Sequence, residues 1–338
     1  MKIVTIGGGS GTTVVNQALL YAGVKNITSV ITSMDSGGVT GRMRTDSRGQ
    51  EIAYSDSLRT LISLLPLQSL NSTKVKNLIQ MLRRRNDRGQ DLGYTIFSHY
   101  FSQETGFGEI QNLLENLTGL KFMGQVLPVT TQSTNLFFKT ESGQVFKGEH
   151  ELDTQRMSAD MVAQIWLEPE VTAYIKAVEA IADADFIIYS CGSLYGSVLA
   201  NLLPKGVQQA LRLTKAKTAL VTNLASTRNE SDNFTPEDFV KIFQKYAKLP
   251  DPLDYLIVPG ISRTEFEKKY PKVAKRYALE HSHFLGWDNF DRTGPEVDIL
   301  FHQAVSLDPK HLRLRHDPKK LAKVFKKLLG VDKNFIFR

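Results

Sequence analysis

The sequence has a single cysteine, Cys191, which excludes a framework of intrachain disulfides and is typical of a reducing compartment. It has no apolar run of about 18 residues and no charged leader followed by an apolar segment, so we expect a cytoplasmic protein with no membrane partner. Its seven histidines lack the spacing of a metal site, and no P-loop motif is present. What remains is an ordinary globular chain of 338 residues, 41% hydrophobic and 23% charged.

The first turn of the chain carries the clearest signal. An apolar strand, Lys2–Ile6, runs directly into Gly7-Gly8-Gly9-Ser10-Gly11, and Thr12 opens a segment with helical periodicity. A strand, a glycine turn and a helix together leave unpaired amide groups and the positive end of a helix at one point, where a phosphate binds well. The pattern therefore favours a nucleotide site. The alternative is a tight turn that needs glycine and binds nothing, because the spacing matches the dinucleotide motif only in part.

A second strand, about Asn26–Thr32, ends in another glycine-rich loop that begins with Asp35. In doubly wound sheets an acid at this place binds a ribose hydroxyl, although an Asp before two glycines also occurs in plain surface turns. Neighbouring parallel strands deliver their loops to one edge, which favours a ligand. The residues that this loop contributes to the predicted site are Asp35, Ser36, Gly37 and Gly38.

Three later features belong to the same prediction. Asp56 stands at the start of a helix from about Tyr54 to Leu65, and is either a helix-start acid or a ligand for a hard cation. The stretch 192–197 follows the strand Asp185–Tyr189 and is interpreted as a helix cap that also binds an anion. Asn223 follows the strand Lys217–Thr222.

Cys191 is interpreted as a small buried residue rather than a nucleophile, since no basic residue lies near it in sequence.

The order of these elements predicts an α/β fold: a doubly wound, mostly parallel, Rossmann-like sheet of five or more strands. Residues 66–150 are interpreted as helices and a hairpin inserted into one domain that spans residues 1–338. Further predictions are helices at 74–84, 92–101, 108–117 and 171–181 and strands at 126–130, 134–140, 144–147, 254–258 and 297–301.

The net charge of +7 is concentrated at the end of the chain, where residues 310–338 hold ten Lys or Arg and two Asp. This stretch has the pattern of an amphipathic helix, with Asp317 as N-cap, Pro318 at the first position and Gly330 beyond its end. We interpret the lysines as a solvated face, because no aromatic residues are interleaved to stack bases. A nucleic-acid partner is not favoured, and a homo-oligomer is left open.

Four motifs, in this order and spacing, resemble the family that contains YvcK and CofD proteins, with the YvcK branch more similar. They are the glycine turn 7–11, Asp35-x-Gly37-Gly38-x-x-Gly41-Arg42, Gly192-Ser193-Leu194-Tyr195-x-Ser197, and Arg315-His316-Asp317-Pro318. The resemblance implies a CofD-like fold. It implies either a UDP-sugar-binding regulator (a gluconeogenesis factor) linked to carbon metabolism, cell shape and cell-envelope synthesis, or a magnesium-dependent transferase. The transferase would move a phospholactyl-type group from a nucleoside diphosphate carrier to a hydroxyl.

The resemblance also implies where a nucleotide or nucleotide-sugar binds and where Mg²⁺ binds with it. Asp56, with Asp35, falls where the transferases have metal-ligand candidates. The chain departs from the family pattern at Ser36, where the second Asp is replaced, and at Cys191, which replaces a Pro. The residues implied to bind the nucleotide are Gly8, Gly9, Ser10, Gly11, Thr12, Asp35, Ser36, Gly37, Gly38, Arg42, Gly192, Ser193, Leu194, Tyr195 and Asn223.

Two further function classes fit less well. A dehydrogenase that binds NAD would use the glycine turn but lacks a plausible proton donor near the expected crevice, and a pure interaction protein would need no ligand. The leading hypothesis is a nucleotide-sugar-binding regulator, with the transferase as the alternative.

Overall fold

A computed structural model describes residues 1–37, 45–46, 49–50, 52–85, 87, 91–102, 107–287 and 297–330. Its centre is a seven-stranded parallel sheet in the order β12-β11-β10-β9-β1-β2-β5. This confirms the predicted α/β fold with a doubly wound parallel sheet. The strands of this sheet are β1 (Ile3–Gly7), β2 (Ile27–Ile31), β5 (Gly124–Pro128), β9 (Phe186–Tyr189), β10 (Lys217–Val221), β11 (Tyr255–Pro259) and β12 (Asp298–His302).

Three smaller sheets flank the central one. The first is antiparallel, in the order β7-β6-β8, and the other two are the hairpins β3–β4 and β13–β14. Their strands are β3 (Thr45–Asp46), β4 (Gly49–Gln50), β6 (Asn135–Thr140), β7 (Val145–Lys147), β8 (Val162–Glu168), β13 (Val305–Asp308) and β14 (Arg313–His316).

Helices cover both faces of the central sheet. They are α1 (Gly9–Tyr21), α2 (Ser55–Ser63), α3 (Thr73–Leu82), α4 (Leu92–Ser102), α5 (Phe107–Thr118), α6 (His150–Thr154), α7 (Ile175–Ala182), α8 (Val207–Leu213), α9 (Arg228–Ser231), α10 (Pro236–Ala247), α11 (Arg263–Lys269), α12 (Pro271–Leu279) and α13 (Pro318–Leu328). Short 3-10 turns occupy Leu67–Ser69 and Leu199–Leu202, and a π-type turn occupies Leu194–Val198. No helix within the described ranges has the length and apolar content needed to cross a membrane.

The core lies on the two faces of the central sheet, because successive side chains of a strand point to opposite sides. In β1, Val4 and Ile6 join one cluster of buried residues, and Ile3 joins the other. The helix α13 seals the second face with Leu321 and Phe325, both fully buried. Asp317 caps α13 by accepting hydrogen bonds from the amides of residues 319 and 320, as the sequence predicts.

Two predictions about elements need correction. The strand predicted at 126–130 was assigned to the inserted helices and hairpin, but β5 pairs with β2 and forms an edge of the central sheet. The helix predicted from Val171 starts only at Ile175, because Val171 is buried in the core and Thr172 bridges to Lys205. The strand β8 was not predicted at all. The limits of the domain and of its insertion stay a prediction.

Candidate functional site

The carboxyl ends of the central strands place the loops after β1, β2, β9 and β10 along one rim of the sheet. The glycine turn after β1 opens α1 at Gly9, whose φ of +60° favours glycine. A Cβ added to Gly11 would lie 2.4 Å from the carbonyl oxygen of Cys191, so the turns after β1 and β9 are in direct contact. Asn223, which follows β10, donates from its Nδ2 to the Gly192 carbonyl over 2.9 Å. The rim therefore brings together three of the predicted turns.

The first turn of α1 is only partly open to a ligand. The amide of Gly9 donates to Asp56 Oδ2 over 2.6 Å, so the chain's own carboxylate occupies the place of an anion at this helix end. Among the described residues, no group accepts a hydrogen bond from the Ser10 amide or the Gly11 amide. Both residues line a cavity. Thr12 is buried and its hydroxyl donates to the Gly8 carbonyl, so its side chain belongs to the turn.

Asp56 therefore has a role that neither prediction anticipated: it caps α1 from its own position at the start of α2. Its side chain is nearly buried, and Arg59 lies 3.4 Å from its Oδ1. Burial and the nearby Asp35 carboxylate raise the pKa of Asp56, whereas Arg59 and the Gly9 amide lower it.

The turn after β9 is also occupied by a carboxylate. Glu230, from α9, accepts hydrogen bonds from Ser193 Oγ at 2.9 Å and from the Leu194 amide at 2.8 Å. Ser193 Oγ in turn caps the Gly196 amide, as the cap interpretation predicts. Leu194 is buried, and the Tyr195 hydroxyl donates to the Val162 carbonyl, so both side chains belong to the core. The chain itself thus uses the donors expected to bind a phosphate here.

The loop after β2 lies on the acidic side of the rim. Asp35 accepts hydrogen bonds from the Gly37 amide at 2.8 Å and from Ser55 Oγ at 3.3 Å. Ser36 Oγ lies 2.9 Å from His150 Nδ1, which ties this loop to α6. Gly38 and Arg42 lie outside the described residues.

Glu149 adds a further carboxyl group beside this loop. Burial, followed by the negative charges of Asp35, Asp153, Glu230 and Asp56, raises the pKa of Glu149 well above its ordinary value. This part of the rim is therefore strongly acidic and favours a cation or a hydroxyl over a bare anion.

A cavity of about 630 Å³ lies beside the glycine turn, and its far wall is basic. It is lined by Ser10, Gly11, Gly192, Ser193 and Asn223 from the predicted set, and by Arg156, Arg313 and Arg315. We name these three arginines the arginine wall. None of the three belongs to the site predicted from the sequence.

Glu280 organises the arginine wall. Its carboxylate accepts hydrogen bonds from Arg156 at 2.9 Å, from Arg313 at 2.6 Å and from Arg276 at 3.0 Å. Although burial opposes it, these guanidinium groups keep the pKa of Glu280 below its ordinary value. Glu280 therefore holds Arg156 and Arg313 in place at the cavity, which Asp153 and Glu230 also line.

Tyr277 and Arg315 complete the cavity on the same side. The Tyr277 oxygen accepts a hydrogen bond from the Leu314 amide at 3.1 Å, which fixes the ring beside β14. Arg315 is exposed, and within the described residues its guanidinium has no hydrogen bond or ion pair. A signal for Arg315 was present in the Arg315-His316-Asp317-Pro318 motif, but no local pattern marks Tyr277, Arg156 or Arg313.

The described residues do not form a ready-made metal cage. No three His, Cys, Asp or Glu side chains among them converge on one point. However, Mg²⁺ typically uses only one or two carboxylates together with the phosphates of its substrate, and Asp35 and Asp56 are two such neighbouring groups. These residues therefore fit a magnesium ion shared with a bound diphosphate but not one held by the protein alone.

Cys191 is a partly buried wall residue. Burial raises the pKa of its thiol to about 12, so the nucleophilic thiolate is absent at neutral pH. This is consistent with the structural role expected from the sequence.

Comparison with known proteins decides the family. The family model described as 2-phospho-L-lactate transferase CofD matches residues 3–299. The chain belongs to the CofD family. Within it, the chain is 28% identical to a protein of Aquifex aeolicus provisionally named gluconeogenesis factor, over 97% of both chains. It is 25% identical to the gluconeogenesis factor of Bacillus subtilis, over 97% of this chain and 98% of that one.

A solved structure supports the same fold. A crystal structure of a UPF0052-family protein from Bacillus halodurans superposes with a TM-score of 0.78 over 95% of this chain and 97% of that one, at 23% identity. The CofD-family fold is therefore shared, and the resemblance stated from the four sequence motifs is confirmed.

The cap formed by Asp56 leads to a prediction for this CofD-family chain. Asp56→Ala removes the acceptor for the Gly9 amide, and we expect the free energy of unfolding to fall by about 1 kcal/mol. Asp56→Asn keeps an oxygen at this place and relieves the repulsion with Asp35, so we expect its free energy of unfolding to fall by less. Urea unfolding of both variants measures the difference. Equal losses would contradict the capping role.

Proposed function

We propose that the chain is a regulatory protein that binds a nucleotide-sugar, of the UDP-sugar type, in the cavity beside the glycine turn. One observation carries the proposal: the Ser10 and Gly11 amides, which have no acceptor in the described structure, line the same cavity as the arginine wall. Amides at a helix N-terminus and guanidinium groups are the two usual partners of a diphosphate.

The rest of the cavity supports a neutral base and sugar. Asn223 and Thr227 line the cavity and are only partly buried, so their side chains offer hydrogen-bonding groups that suit a nucleoside better than a second anion. A volume of about 630 Å³ lies within the range of small-molecule sites. The name gluconeogenesis factor, which related proteins have, supports a link to carbon metabolism.

The test is thermal unfolding with UDP-N-acetylglucosamine and with UDP. A ligand at 100 times its Kd stabilises the folded state by about 2.7 kcal/mol, and we expect the unfolding temperature to rise accordingly. Arg315→Ala is expected to weaken binding at least ~10-fold, equivalent to ~1.4 kcal/mol, because it removes a cation that has no other partner in the described structure. Arg212→Ala removes an exposed arginine that does not line the cavity and is the matched control. No shift with wild type at millimolar ligand would contradict the proposal.

The magnesium-dependent transferase is the second candidate, favoured by the adjacent Asp35 and Asp56 carboxylates. Here the protein would position a nucleoside diphosphate carrier, and Mg²⁺ would neutralise charge on the diphosphate. Titration calorimetry with and without Mg²⁺ distinguishes the two functions. If Mg²⁺ tightens binding in wild type but not in Asp56→Asn, the transferase is supported. If neither Mg²⁺ nor the substitution changes the binding constant, the regulator is supported.

A further inference from the structure

A second cavity, of about 760 Å³, lies beside the edge strand β12, between β12, α13 and the end of α11. Its wall is apolar where β12 and α13 meet, at Ile299, Val324 and Leu328, and aromatic at Tyr255, Tyr270 and Phe301. The remaining side of the cavity is formed by lysines. We name it the lysine cavity.

The charge of the lysine cavity has one sign. Lys269, Lys320, Lys323 and Lys327 line it, and no carboxylate of the described residues does. Two of these amines have partners, because Lys320 Nζ donates to the Val305 carbonyl at 2.9 Å and Lys269 Nζ lies 5.6 Å from the centre of the Tyr270 ring. Lys323 and Lys327 form no hydrogen bond or ion pair within the described ranges. Both side chains are exposed, so their amines are accessible to an anion from solution.

We propose that the lysine cavity is a second binding site, for a small aromatic anion. The rings and aliphatic groups receive a planar apolar body, and Lys323 with Lys327 bind its carboxylate, sulfonate or phosphate group. The volume suits a ligand of this size. A second copy of the chain is a poorer occupant, because a symmetric contact would bring the same lysines against each other.

Aromatic rings do lie beside the lysines of α13 in three dimensions. No aromatic residues are interleaved with the lysines along the chain, but the fold brings three rings from β11, β12 and the end of α11 to the lysine face of α13. The lysine cavity shares no lining residue with the cavity beside the glycine turn. The two cavities lie back to back, since His302 lines one, His316 lines the other, and their ring centres are 5.2 Å apart.

The test uses 8-anilinonaphthalene-1-sulfonate, an aromatic anion whose fluorescence rises in apolar sites, with the full chain. Lys323→Gln with Lys327→Gln is expected to weaken binding at least 10-fold. The control, Lys310→Gln with Lys326→Gln, makes the same change of charge outside the cavity and is expected to leave binding within 2-fold. Tyr270→Leu, which removes one ring of the wall and no charge, is expected to weaken binding as well. Thermal unfolding of each variant verifies that it is folded.

The outcomes separate this site from the other proposals. Unchanged binding in Arg315→Ala would support the lysine cavity whether or not the chain binds a UDP-sugar, and loss of binding in that variant would place the probe in the other cavity and overturn the inference. Equal effects of the two lysine pairs would also overturn it. So would a probe that binds only after residues 331–338 are removed, because the chain's own end would then be the occupant.

Discussion

Gly11→Ala is expected to lower the free energy of unfolding by ~3 kcal/mol and to abolish nucleotide binding. The new Cβ would lie 2.4 Å from the Cys191 carbonyl oxygen, 2.5 Å from its carbon and 2.8 Å from the Gly192 amide nitrogen. All three are backbone atoms, which have no rotamer to escape into, so the turns after β1 and β9 must separate. Denaturant unfolding and calorimetry with UDP-N-acetylglucosamine measure the two effects.

Gly108→Ala is the matched control, since it adds the same methyl group. Gly108 lies in α5, and a Cβ there would meet nothing within 4 Å. We expect this variant to bind as wild type does and to be unchanged or more stable, by up to ~1 kcal/mol, because alanine favours a helix. If Gly11→Ala lost no more stability or binding than Gly108→Ala, the result would contradict the close contact between the turns after β1 and β9.

Acid is expected to destabilise the fold between pH 6.5 and pH 4 through His302 and His316. Burial is the main cause that lowers the pKa of His302 to about 3 and of His316 to about 4, and the second histidine adds to the effect on the first. The unfolded chain takes up protons from about pH 6.5, where the folded chain does not. The stabilisation is therefore complete above pH 6.5 and is lost as the pH falls towards 4. The free energy of unfolding falls by up to ~1.4 kcal/mol per pH unit for each ring. Over the whole range this loss is on the order of 3 kcal/mol for His316.

The hydrogen bonds of the pair indicate suitable variants. His302 Nδ1 accepts from the Ala304 amide at 2.9 Å, and His316 Nε2 donates to the Thr222 carbonyl at 3.0 Å. The side-chain amides introduced by His302→Asn and His316→Gln can retain these hydrogen bonds and do not titrate. Urea unfolding of this double variant between pH 7.5 and pH 4 is expected to give a flatter profile than wild type. The exposed His311→Gln is the control, and an equally steep profile in the double variant would refute the assignment.

Local patterns predicted the rim because strand, glycine turn and helix are adjacent in sequence. The positions of Gly8, Gly11 and Ser193 follow from that order alone. The arginine wall does not, because Arg156 is distant in sequence from Arg313 and Arg315 and only the tertiary fold joins them. Asp56 lies in the first turn of α2 as predicted, but its bond to Gly9 could not be predicted from a local pattern, since the two residues are 47 positions apart in sequence.

The strand β8 shows the limit of a periodicity argument. A half-buried strand is expected to alternate apolar and polar residues, but Trp166 occupies the outer face of β8 and stacks on Phe137 with ring centres 5.7 Å apart. Gln164 and Glu168 are exposed on the same face, so Trp166 alone interrupts the alternation from Gln164 to Glu168. The helix predicted from Val171 fails in a similar way, because buried apolar side chains before Ile175 contact the core without being helical.

Three guanidinium groups from distant segments meet at the carboxylate of Glu280. Ion pairs therefore hold one side of the cavity beside the glycine turn, whereas apolar packing holds the central sheet. Dissolved ions weaken the first kind of contact and leave the second almost untouched. Higher ionic strength is therefore expected to loosen this side of the cavity while the scaffold stays intact, and the binding proposed for this cavity would then depend on the salt concentration.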